Sequence, residues 1–193
     1  QGNYTVTYVP GKLTITAAQV TIKVEGVQEE KVYNGLDQKA EGYTVVDEGN
    51  LFSGYSRDNI KYKGSNDVQP EAIGKDVTTT PILMNLKAED FSYADDNYTV
   101  SFEVVEDGSL TITPAVVTVT ADNKEKVYGG EEPELTATVT GLKNNDPESV
   151  IAYNLSRATG EEVGEYVITP SGEATQGNYT VTYVPGKLTI TAA

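Results

Sequence analysis

The chain has 193 residues, with 14 Lys and Arg against 29 Asp and Glu, and a formal net charge of −15. It has no Cys, His or Trp, which excludes a disulfide framework, a zinc site of nitrogen and sulfur ligands, a Ser-His-Asp triad and a cysteine nucleophile. The acidic excess argues against nucleic acid as a partner, because phosphate binding works through clustered Lys and Arg. No apolar run of about 18 residues offers membrane insertion. No basic-then-apolar leader opens the sequence, so a secretion signal is expected outside it.

Thr (24) and Val (23) dominate, and β-branched residues fit pleated surfaces, so an ordered, acidic β protein is expected. Repeats organise it. Residues 1–18, QGNYTVTYVPGKLTITAA, recur unchanged as residues 176–193, a period of 175. A weaker repeat lies inside that period. Residues 20–35 align with 115–130 around Lys-Val-Tyr-x-Gly, and 97–113 align with 178–191. The expected organisation is a closing hairpin of a preceding repeat at 1–18, a first β domain at 19–114 and a second at 115–193.

In chain order, the 1–18 copy reads as an orphan β-hairpin. If it is held, it should dock on a sheet edge, because isolated hairpins are marginal in water. The middle of the first domain, residues 43–92, is the least repetitive part. It carries Gly54-Tyr55-Ser56-Arg57, a hydrophilic stretch over 61–69, and Leu83–Phe91, a strand of ambiguous inward face. Residues 97–114 close that domain as a second hairpin. In the second domain Val117 and Val119 alternate with Thr118 and Thr120, and Leu135, Ala137 and Val139 with Thr136, Thr138 and Thr140, the period-2 mark of half-buried strands. Lys143–Pro147 reads as a loop, Val150–Leu155 as a short strand and Val163–Ile168 as the start of another. The last hairpin places Tyr179, Val181, Tyr183, Leu188 and Ile190 on its buried face, with Pro185-Gly186 in the turn.

Short strands at this spacing predict an all-β chain of two tandem small domains. An immunoglobulin-like sandwich is preferred, with a β-grasp-like sheet as the alternative, since Asp146–Val150 suits a helical turn.

These residues resemble the MBG (mucin-binding-type) repeats, related to YDG repeats, that occur in tandem on bacterial cell-surface adhesins. The resemblance runs through Val117–Gly129, Leu135–Asp146, Leu155-Ser156-Arg157, Tyr166–Thr169 and Asn178–Thr191. In the first domain it is confined to Lys31-Val32-Tyr33-Asn34-Gly35 and Asn97–Thr113. It implies an extracellular, cell-wall-attached location and a non-catalytic role. That role is an extended stalk projecting an adhesive region, or alternatively a multivalent module for host mucin glycans or glycoproteins. Its partners would be neighbouring repeats, and host mucin or glycan in the second case.

No catalytic, cofactor or metal residue is assigned, and ligand-binding residues stay unknown. Asn3, Asn97, Asn154 and Asn178 fit the N-glycosylation pattern, but Asn3, Asn97 and Asn178 are copies of one strand entry, where Asn suits a turn. Asp95-Asp96, Asp122 with Glu125, and Glu131-Glu132 lack calcium-loop spacing. No motif for a Lys–Asn isopeptide staple is recognisable. Tyr55 and Tyr62, in the least repetitive stretch, are the tyrosines free to stack on a sugar ring.

Overall fold

The computed structural model describes residues 2–46 and 48–193. Strands β1 (Ala18–Gly26), β2 (Gln28–Val32), β3 (Gln38–Glu41), β4 (Tyr43–Val45) and β5 (Lys61–Tyr62) open the chain. They are followed by β6 (Glu71–Gly74), β7 (Ile82–Leu83), β8 (Phe91–Ser92), β9 (Tyr98–Glu106) and β10 (Ser109–Thr113). The second half holds β11 (Ala115–Ala121), β12 (Lys124–Val127), β13 (Ala137–Thr140) and β14 (Asn154–Arg157). It ends with β15 (Gly164–Ser171), β16 (Thr175–Gln176), β17 (Tyr179–Val184) and β18 (Gly186–Thr191). The protein is all-β, as the alternation predicts, and Asp146–Val150 contributes only a 3₁₀ turn at Glu148–Val150. The small sheets are compatible with an immunoglobulin-like sandwich.

Each half is organised by parallel pairing of its entering and leaving segments. β11 runs parallel to β17, with Val117 opposite Val181, and β12 runs parallel to β18, with Lys124 opposite Leu188. β1 and β9, and β2 and β10, repeat this arrangement. The sheets are β13-β11-β17-β16 and β12-β18-β15-β14 in the second half. In the first half they are β4-β1-β9 and β2-β10-β7, with the pairs β3-β6 and β5-β8.

The closing segments are therefore not hairpins. β17 and β18 lie in different sheets with Pro185 alone between them. A cross-strand pair needs a loop of about two residues or more, so this chain passes from one sheet into the other instead. Gly186 makes the crossing close, since a Cβ there would overlap the Ala121 carbonyl. The Lys187 N–H is met by Asn123 Oδ1 at 2.9 Å. The predicted inward face survives at Tyr179, Val181, Leu188 and Ile190, which are buried, and Tyr183 is partly buried beside them.

The orphan hairpin is absent. Gln1 lies outside the described residues, and residues 2–17 form no strand and dock on no sheet edge. Tyr4, Val6, Tyr8, Leu13 and Ile15 are 62–88% exposed. The same eighteen residues at 176–193 are strands because β11, β12, β15 and β16 pair with them. Partners, not intrinsic propensity, decide.

Two further expectations change in the first half. Met84 is buried and Leu83 half exposed, but Asn85 takes φ +58°, which breaks the strand expected over Leu83–Phe91. Its N–H and that of Leu86 donate to the Asp107 carboxylate at 3.0 and 3.1 Å. The second is Tyr62, which is 5% exposed and packs on Phe91.

Removing residues 1–17 is expected to leave the melting temperature within about 2 °C of the full chain. Truncation after Thr175 takes away four buried side chains, each contributing about 1.5–3 kcal/mol. Their sum rivals the about 5–15 kcal/mol stability of a whole domain. Calorimetry should then show cooperative melting of the second half abolished.

Candidate functional site

The middle hydrophobic cluster does not stop where the sequence units meet. Leu110, Ile112 and Met84 from the first half share it with Ala115, Val117, Val119 and Val181 from the second. Pro114 alone separates β10 from β11. With a one-residue link and a shared apolar cluster, the two halves are packed at this junction.

A polar lock borders the cluster. Lys143-Asn144-Asn145-Asp146 is a tight turn closed by the Asp146 N–H donating to the Lys143 carbonyl at 2.8 Å. Its central residues have φ +47° and +59°, the left-handed region that Asn tolerates better than other side chains. The turn aims Asp146 Oδ2 at two tyrosines from opposite halves: Tyr179 Oη donates at 2.5 Å and Tyr33 Oη at 3.0 Å. The two rings meet edge to face at 5.4 Å, a favoured aromatic geometry. They are 4% and 2% exposed, Tyr33 and Tyr179 respectively.

Burial, then the Asp146 hydrogen bond, pushes the Tyr179 phenol up to about 12 and raises Tyr33 in the same direction. Both hydroxyls therefore keep their protons and stay donors. Asn144 Nδ2 donates to the Gly35 carbonyl at 2.9 Å. Gly35 has φ +79°, and a Cβ there would overlap the Cβ of Asn144. Asn178 completes the lock: its Oδ1 accepts from the Val77 N–H at 2.8 Å and its Nδ2 donates to Asp76 at 2.9 Å. The N-glycosylation pattern at Asn178 thus falls on a side chain used inside the junction.

A second cluster sits at the other end of the second half. The Arg157 guanidinium lies 5.7 Å over the Tyr166 ring and bonds Glu132 and Glu161. Lys126 reaches the same two carboxylates at 3.0 and 2.8 Å. The Arg157 and Lys126 hydrogen bonds hold Glu132 at about 2, and Lys126 and Arg157 lower Glu161 too. Glu132 is thereby engaged by cations of the protein itself. Asp122 accepts from the Thr136 and Thr138 hydroxyls at 2.6 and 2.9 Å, which lower its pKa. Asp95 accepts from the Asn97 N–H at 2.8 Å. Among the described residues, no group of three or more His, Cys, Asp or Glu is placed to hold a metal ion.

Of the two tyrosines singled out as sugar platforms, Tyr62 is buried. Tyr55 is half-buried, stacked on Tyr93 at 5.9 Å and edge-on to Phe52 at 5.6 Å. Burial, then the bond its hydroxyl donates to Glu48 at 3.0 Å, raises its pKa. Nothing in the local sequence around Tyr33 or Asp146 marks the two as partners. Their signal is the Lys-Val-Tyr-x-Gly recurrence, in which Tyr33 and Tyr128 occupy equivalent places.

The family comparison fits the second half. Residues 117–189 match the model described as MBG domain (YGX type). Residues 117–189 are an MBG-type domain. Its Tyr128-Gly129-Gly130 reads as the YGX triplet, and Tyr33-Asn34-Gly35, outside the match, holds the corresponding place in the first half. A search of curated proteins found no match to the chain.

Asp146→Ala strands two phenols, so the MBG-type domain should lose about 1–3 kcal/mol in denaturant melts. Tyr33→Phe should lose about 0.5–1.5 kcal/mol, and the double mutant less than the sum. The acid cluster gives a pH dependence. The folded pKa of Glu132 lies below its ordinary 4.5, so its stabilisation is present above that value and is lost as pH falls toward 2. The melting midpoint of the MBG-type domain should drop between about pH 5 and pH 2, less steeply in Arg157→Gln.

Proposed function

We propose that this chain is a non-catalytic repeat module of a bacterial cell-surface protein, and that it acts as a stalk carrying an adhesive region away from the cell wall. MBG domains occur in bacterial surface proteins, which supports the location. The observation that carries the stalk role is the junction at Pro114. One residue of slack, a shared apolar cluster and the Tyr33–Asp146–Tyr179 lock oppose bending between units. Duplication at a period of 175 residues suits a part that works by length, because repeats contact mainly their neighbours. The acidic surface keeps such an array soluble and self-repelling.

A second reading, the multivalent mucin or glycan module, draws on a cavity of about 420 Å³ lined by Asp58, Asn59, Lys61, Asn66, Ser92, Tyr93 and Ala94. It is polar and lies beside the Phe52–Tyr55–Tyr93 aromatic group. Linked weak sites of this kind gain avidity.

A mucin and glycan binding array with this chain decides between them. The stalk reading expects no saturable binding by either the wild type or Tyr55→Ala. Saturable binding that Tyr55→Ala or Asn59→Ala removes would replace the stalk by the module.

A further inference from the structure

The junction at Pro114 is one of two kinds that the repeated sequence specifies. Thr113-Pro114-Ala115 leads from β10 into β11, and Thr16-Ala17-Ala18 leads into β1 with the same spacing. Because residues 1–18 repeat 176–193, Gly11–Thr16 has the sequence of β18. The strands downstream of the two links are held alike. Ala18 lies opposite Tyr98 and donates its N–H to the Asn97 carbonyl at 2.9 Å. Ala115 lies opposite Tyr179 and donates to the Asn178 carbonyl at 3.0 Å. The link that joins a unit ending in the 176–193 sequence to a β1–β10 unit is thus as short as the one between β10 and β11.

The two surfaces for such a junction are both present, the first exposed and the second partly buried. At the tail of the MBG-type domain, Tyr128 is 49% exposed, whereas its counterpart Tyr33 is 4% exposed because the Pro114 junction covers it. At the head of the β1–β10 unit, Asn97-Tyr98 holds the place of Asn178-Tyr179, and Phe52 backs the Tyr98 ring at 4.5 Å. The loop after β4, the strand antiparallel to β1, carries Glu48. The loop after β13, the strand antiparallel to β11, carries Asp146. Glu48 accepts the hydroxyl of Tyr55, a tyrosine of its own unit other than Tyr98, at 3.0 Å, so the carboxylate on this loop is already oriented as a phenol acceptor.

We infer that the Tyr128 tail of the MBG-type domain docks on Tyr98 and the Glu48 loop of a following copy of the 19–114 unit, reproducing the Tyr33–Tyr179 lock. Both kinds of junction in an array are then packed. The inference rests on the reading of this chain as a module of such an array. The occupant is a second copy of this chain's own unit, identified by the shared one-residue link and the matching motif positions.

The test extends the chain at residue 193 by a further copy of residues 19–114 and maps tyrosine nitration by mass spectrometry in both proteins. Tyr4 and Tyr8, 85% and 88% exposed, report full reactivity, and Tyr33 and Tyr179 report protection. Nitration of Tyr128 should fall by about tenfold in the extended chain, the ratio of its 49% exposure to the 4% of Tyr33. Equal nitration of Tyr128 in the two proteins, with the Tyr62 of the appended copy protected as its 5% exposure in the folded unit requires, overturns the proposal. Protection of Tyr128 together with saturable glycan binding would sink the stalk reading while leaving the docked junction in place.

Discussion

The parallel pairing of entering and leaving segments is the constraint on which the rest of the molecule depends. β11 and β12 run beside β17 and β18 across two sheets, and β1 and β2 do the same beside β9 and β10. Parallel neighbours cannot be joined by a tight turn, so everything between them must be spent returning the chain. That return path is where the two halves diverge. In the first half it carries the Phe52–Tyr55–Tyr93 group and the Asp58–Asn66 cleft. In the second it carries the Asn144-Asn145 turn and the Arg157–Glu132 cluster.

The same pairing explains the junction. When a unit's last strand ends beside the second of its opening strands, the Lys-Val-Tyr-x-Gly motif that follows that opening strand comes out at the unit's end. There Tyr33 meets the first residues of the next unit's leaving strand, Asn178 and Tyr179. Asp146 converts that meeting into a contact of fixed geometry, because one carboxylate oxygen accepts from both hydroxyls. Hydrogen bonds to a charged acceptor contribute more than neutral ones, and here the acceptor belongs to only one side of the junction.

How far the sequence reveals this follows from the range of each interaction. Alternation along Val117–Thr120 and Leu188–Thr191 marks strands and buried faces because it is a property of neighbouring residues. The Asn144-Asn145 turn is visible as a loop for the same reason. The pairing of Val117 with Val181 joins residues 64 apart, and pattern reading couples neighbouring strands instead, which is how sheet-crossing segments came to resemble hairpins. Tyr62 looked free because its stretch is hydrophilic, yet Phe91 covers it from a distant strand. The least visible residues are Tyr33 and Tyr128. Their local sequences are nearly alike, and only the neighbouring unit makes one buried and the other open.

The two copies of QGNYTVTYVPGKLTITAA, one paired and one bare, bear on how an array of this kind is made. Each unit leaves its first strand without its parallel partner until its final residues have emerged, so closure is late and non-local, a topology that folds slowly. During that interval the identity of residues 1–18 and 176–193 means that sequence does not itself mark which copy belongs beside β11. Order of synthesis, rather than sequence, must then decide which copy fills which slot. An array assembled from one end keeps its register only while each unit closes before the next copy of its closing segment appears.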